Sequence, residues 1–72
     1  MTVEQWVDAY ARACGQPTPD AATIETILEL AGAAAHASVR QSAPVTCWLA
    51  AQAGLSPQQA LDLAREVATT GV

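Results

Sequence analysis

Ser42-Ala43-Pro44-Val45-Thr46-Cys47-Trp48-Leu49-Ala50-Ala51-Gln52-Ala53-Gly54-Leu55-Ser56-Pro57-Gln58-Gln59 is the stretch whose punctuation decides the fold. Ser42-Ala43-Pro44 reads as a helix start with Pro44 at the first helical position, where its missing amide hydrogen costs nothing. Gly54 reads as the stop, so this helix runs to about Ala53. Ser56-Pro57-Gln58-Gln59 opens the next helix with a capping box and a second early proline. Between the marks, Val45, Trp48 and Leu49 share one side and Cys47, Ala50 and Ala51 the other. A short helix that is apolar nearly all round is either central to a core or covered by a partner.

The pattern continues in both directions. Downstream, Ala60, Leu63, Ala64 and Val67 recur at helical spacing as an inner face, with Asp62, Arg65, Glu66 and Thr69 outside and Gly71 as the stop. Upstream lies the longest helix, from about Ala21 to Arg40, capped by Asp20 or Thr18. Its apolar stripe is Ile24, Ile27, Leu28, Ala31, Ala34 and Ala35. Glu25, Glu29, His36 and Arg40 fall within roughly 60° of one another on its back, at 100° per residue. At the N-terminus, Thr2 and Gln5 form a capping box for a helix whose apolar face is Val3, Trp6, Val7, Tyr10 and Cys14. Gly15 ends it, and Gln16-Pro17-Thr18-Pro19 keeps it ended, because each proline pushes its predecessor out of helical geometry. No strand pattern competes. The expected fold is all-α, a small bundle of four short helices in one domain spanning residues 1–72.

Composition narrows the function classes. Seven acids against three arginines give a formal charge of −4, and only 14% of residues are charged. Nucleic-acid binding needs clustered Lys and Arg, and this chain has no lysine. The 21 residues from Gln41 to Leu61 carry no charge, yet two prolines, four glutamines and three hydroxyl residues make them too polar for a membrane span. The first residues lack the basic and apolar regions of a signal peptide, so a cytoplasmic location is expected. Cys14 and Cys47 belong to no CxxC pair or Cys/His cluster, so no zinc or redox motif is expected. Two small buried thiols are the simpler expectation, and one disulfide the alternative. A chain of this size leaves little room for a substrate pocket, and a non-enzymatic role with no resident cofactor is expected.

Few side chains offer chemistry. His36 is the single imidazole; Glu29 lies two turns away, roughly 10 Å along the helix, beyond direct hydrogen bonding. Arg40 at i+4 converges with His36 on a shared anion or carboxylate. Ser42, Thr46 and Ser56 sit beside helix starts, where capping accounts for them. Gly32 stands mid-helix at a cost of about 1 kcal/mol against alanine. With Ala33 and its alanine neighbours it makes a smooth face, suited either to packing within the domain or to a subunit contact. Trp6 and Trp48 lie on apolar stripes, and at least one is expected in the core; left at the rim, a tryptophan becomes a contact hot spot.

The run Leu28-Glu29-Leu30-Ala31, then Ala35-His36, Arg40, Ala43-Pro44-Val45-Thr46 and Trp48-Leu49, resembles an uncharacterised actinobacterial family of short helical domains. Members of that family occur alone or as a C-terminal tail on MobA-like molybdenum cofactor guanylyltransferases. Trp6-Val7-Asp8 and Gly15-Gln16-Pro17 are similar to its opening. Carried over by position, His36, Arg40, Pro44 and Thr46 are its signature residues. Gln41 departs from the pattern, which has proline there, and Gly32-Ala33 replaces a charged pair. The resemblance implies association with molybdenum-cofactor metabolism and no particular reaction.

Three roles for the His36–Arg40–Thr46 corner stay open at this point: an internal lock closed by a local acid, a partner contact, or a phosphate- or pterin-binding site at the third helix's start. The leading expectation is a non-catalytic accessory module. It docks on a larger protein, a molybdenum-cofactor enzyme or its maturation machinery, through Gly32, Ala33, His36, Arg40 and Trp48. The alternative is a small-molecule anion binder using His36, Arg40 and Thr46. A homodimer burying the third helix against its mate is compatible with either.

Overall fold

The computed structural model describes residues 1–70, which form four helices: α1 (Val3–Ala13), α2 (Ala21–Ala37), α3 (Ser42–Gln52) and α4 (Pro57–Thr70). The all-α bundle expected from the sequence is present, although Gly71, read as the last stop, lies outside the described residues.

Local signals build most of the helix ends. The Thr2 hydroxyl accepts from the Gln5 amide at 3.1 Å while the Gln5 side chain accepts from the Thr2 amide at 2.9 Å. Ser56 and Gln59 repeat the box, at 3.2 and 2.9 Å. Asp20 caps α2, accepting from the Thr23 amide at 2.8 Å; Thr18 does not cap but donates to Asp8. Gly15 and Gly54 hold φ of +72° and +75°. Each turns the chain so that the next residue's amide donates five residues back, Gln16 to Ala11 at 2.8 Å and Leu55 to Ala50 at 3.1 Å. Both ends are thus Schellman closures, which need a left-handed residue that glycine adopts without strain.

Two boundaries differ from the sequence expectation. α2 ends at Ala37, three residues before Arg40. The Ser38 hydroxyl donates to the Ala34 carbonyl at 2.9 Å, beside the Ser38 amide that donates to the same oxygen at 3.1 Å. A side chain that competes for the helix's own acceptor favours termination. Arg40 therefore sits in the turn before α3, with its carbonyl accepting from the Ala43 amide at 3.1 Å. Pro44 becomes the third residue of α3 rather than the first, still among the four amides that have no intrahelical acceptor.

The core is small and sits under α2. Leu30, Ala60 and Leu61 are its buried centre, with Ala33, Cys47, Ala50, Leu55 and Ala64 packed against them. α2 is the common partner: α3 and α4 each lie along it and approach one another only briefly. Arg65 on α4 donates to Glu29 on α2 at 3.4 Å across the exposed side of that contact. Ala60 and Ala64 of the expected α4 face do meet the core, but the large inward residues are not the ones expected. Leu30 is 2% exposed whereas Leu28, placed on the inner stripe, is 57% exposed. Likewise Leu61 is buried while Leu63 and Val67 are exposed.

α1 stands apart. No Cα of α1 comes within 8 Å of any Cα of α2, α3 or α4. The segment after it runs back along its own helix, where the Thr18 hydroxyl donates to Asp8 at 2.7 Å and Arg12 pairs with the same carboxylate at 3.2 Å. Detachment shows in the dimensions. The Cα radius of gyration is 12.7 Å, against about 11 Å for a compact chain of this length.

Candidate functional site

The expected corner does not assemble as one site. His36 and Arg40 are both exposed, and the break at Ser38 removes the continuous helix that i,i+4 convergence requires. Arg40 also stands before the positive end of α3 instead of at the negative end of α2, the reverse of the favourable dipole placement. Among the described residues, no hydrogen bond or ion pair reaches either side chain. Glu29, the acid that shares their face in sequence, is paired with Arg65 instead.

Thr46 lies elsewhere, in a trough between α3 and α4. The trough consists of two adjoining hollows of about 430 and 310 Å³ that share Thr46 and Ala64. Ala33, Ala34 and Ala37 of α2 floor one hollow, and Ser38 and Ser42 close its end. Leu49, Ala53, Leu55 and Leu63 line the other. Neither His36 nor Arg40 lines the trough. Ser42 and Thr46 do not cap α3, which has no side-chain cap; the Ser42 and Ser38 hydroxyls are hydrogen-bonded to each other at 2.7 Å.

Both tryptophans are outside the core, contrary to expectation. Trp6 is 58% and Trp48 61% exposed. On α3, Val45, Trp48 and Leu49 form one outer face, each more than half exposed, and no residue of the helix is buried or charged. α3 is therefore not the centre of the core: Cys47 and Ala50 pack inward, and the larger side chains face solvent. On α1, Trp6 and Tyr10 stack with centroids 6.0 Å apart and make a continuous aromatic ridge beside exposed Val3.

Gly32 and Ala33 separate in role. Ala33 packs against the core, while a Cβ built on Gly32 meets nothing within 4 Å. Both cysteines are free thiols. Cys14 is exposed rather than buried, its Sγ donating to the Ala11 carbonyl at 3.5 Å. Half-buried Cys47 lies against the core, and burial pushes its thiol pKa up. Among the described residues no polar side chain is buried, and no three potential metal-ligating side chains gather. No helix there is long and apolar enough to cross a membrane.

The surface total is the measurement that joins these features. The chain exposes 5349 Å², where a compact protein of its mass exposes about 4,200 Å². Among the described residues, eleven large hydrophobic side chains are exposed, from Met1 through all four helices and the α2–α3 turn. Sequence reasoning placed most of them on apolar stripes and left open whether the stripe of the third helix meets the core or a partner.

No curated protein and no solved structure matches this chain. A family model covers residues 1–70, almost the whole of the sequence, and by that match the chain belongs to the family described as Domain of unknown function (DUF6457).

Proposed function

We propose that this protein is a non-catalytic helical interaction module that docks on a larger protein through the outer face of α3. The observation that carries this reading is the exposed Val45–Trp48–Leu49 face on a helix without charge. Contiguous exposed apolar surface on a small domain marks a contact site, and tryptophan is the side chain most enriched among binding hot spots. The uncharged run from Gln41 to Leu61 leaves no ion to be desolvated there.

The resemblance to actinobacterial domains fused to MobA-like guanylyltransferases supplies the partner: a molybdenum-cofactor enzyme or a protein of its maturation. Titrating the chain into the guanylyltransferase of the same genome, followed by calorimetry and native mass spectrometry, tests it. A stoichiometric complex is expected, weakened at least about tenfold by Trp48→Ser, since a hot-spot side chain contributes 2 kcal/mol or more. Absence of a complex, or a complex indifferent to Trp48→Ser, overturns the reading. Trp48 is exposed, so its replacement leaves the fold intact.

A further inference from the structure

We infer that two copies of this chain associate by exchanging α1, the Trp6–Tyr10 ridge of each protomer seating in the α3–α4 trough of the other. The ridge and the trough are both unfilled, and they differ in shape in the way an interface requires. Trp6 and Tyr10 project as adjoining large side chains from one helix face. The trough is floored by alanines and walled by Leu49, Leu63 and Val67, a hollow with little side-chain bulk of its own. α1 and α3 each span 11 residues, so an inserted α1 of about 16 Å matches its wall in length.

The ridge does not occupy its own trough, since α1 is more than 8 Å from all three other helices between Cα atoms. The strap after α1 opposes fold-back. Pro17 and Pro19 fix their φ angles, and the Thr18–Asp8 hydrogen bond ties the connecting segment to α1 itself. A second copy is the occupant that brings a ridge and a trough together.

Area separates a one-way contact from an exchange. Covering the exposed parts of Val3, Trp6 and Tyr10 and a matching wall removes about 700 Å² in all, given 150–250 Å² for each aromatic side chain. That is below the ~1,200 Å² at which specific interfaces begin, whereas the two-fold exchange buries about 1,400 Å² and falls within the range. The surplus of about 1,100 Å² over a compact chain is of the same order as the loss per protomer.

This pairing shares Leu49 with the α3 outer face but not Trp48, which lines neither hollow, so substitution of Trp48 separates the two readings. Sedimentation equilibrium on the full chain is expected to give twice 7.4 kDa. Trp6→Ser with Tyr10→Ser, both exposed positions, is expected to return the mass to 7.4 kDa with the helical circular dichroism of α2–α4 retained. Trp48→Ser is expected to leave the doubled mass unchanged. In a dimer of labelled and unlabelled wild-type chains, isotope-filtered NOEs are expected from the Trp6 indole to the Ala64 methyl of the other chain. A monomeric wild type, a dimer that survives the ridge substitutions, or NOEs joining Trp6 only to the other α1 each overturn the exchange.

Discussion

Leu28 and Leu30 lie two residues apart on α2, and replacing each by alanine separates the two faces of that helix with one chemistry. Leu30 is 2% exposed at the centre of the core and Leu28 is 57% exposed, some 200° away around the axis. Truncating a buried leucine to alanine costs about 2–5 kcal/mol, the upper values arising where a closed cavity is left behind. Leu30 already borders a hollow of about 140 Å³ beside Ile27 and Cys47, so the site can relax and about 3 kcal/mol is expected. A domain of this length holds roughly 4–11 kcal/mol in total, and with four buried hydrophobic residues among those described this one belongs near the lower end. Leu30→Ala then lowers Tm by about 12–24 °C, at ~4–8 °C per kcal/mol. Leu28→Ala stays within about 0.5 kcal/mol of wild type, as surface substitutions do. Urea and thermal melts followed by circular dichroism at a fixed protein concentration measure both. Equal losses, or a larger loss at Leu28, would mean that α2 presents the Ile24–Leu28 stripe to the core, and the arrangement of α3 and α4 around it would be wrong.

Two further expectations concern backbone freedom and pH. Gly32→Ala raises stability by about 1 kcal/mol, because the added methyl meets open space in a helix interior; Gly54→Ala lowers it by about 1–2 kcal/mol, because φ of +75° strains any L side chain. Opposite shifts in Tm for the same substitution check the pair. The Asp20 carboxyl is held below its usual range by the hydrogen bonds it accepts from Thr23. A carboxylate whose folded pKa is depressed contributes stability above its unfolded pKa, near ~3.9, and loses it as the pH falls through the folded value. The helical signal of wild type is therefore expected to drop in acid more than that of Asp20→Asn, which keeps the cap without the charge; an identical acid profile in the two proteins would count against Asp20 as the titrating cap.

Helix existence and most helix ends were legible because they depend on residues a few positions apart. Thr2 with Gln5, Ser56 with Gln59, Asp20, Gly15 and Gly54 act within one turn of themselves. The end of α2 was harder to see, because Ser38 acts by sharing an acceptor, which a helix interior also tolerates. Helix phase was the larger loss. Seventeen alanines leave the stripes of α2 and α4 poorly defined, since alanine is accepted on either face, and little in the pattern then distinguishes Leu28 from Leu30 or Leu63 from Leu61 as the inward residue. The expected convergence of His36 and Arg40 depended on the α2 boundary, as the two share a face only on a continuous helix and α2 ends at Ala37. The trough was invisible for a different reason: it arises where α3 and α4 diverge over α2, a property of three helices together.

The detached α1 divides the chain into two cooperative units. An isolated helix of 11 residues is marginal in water, so α1 is held by its two caps, the Asp8–Arg12 pair and the Thr18 strap. Opening it breaks those contacts and exposes almost nothing of the core. Its amides accordingly exchange with solvent through a local event, while those of α2 and α4 wait for the opening of the Leu30–Leu61 centre. A core substitution accelerates the second class and leaves the first unchanged. Self-association by α1 exchange erases that boundary, so that the protection of the N-terminal helix becomes a function of protein concentration.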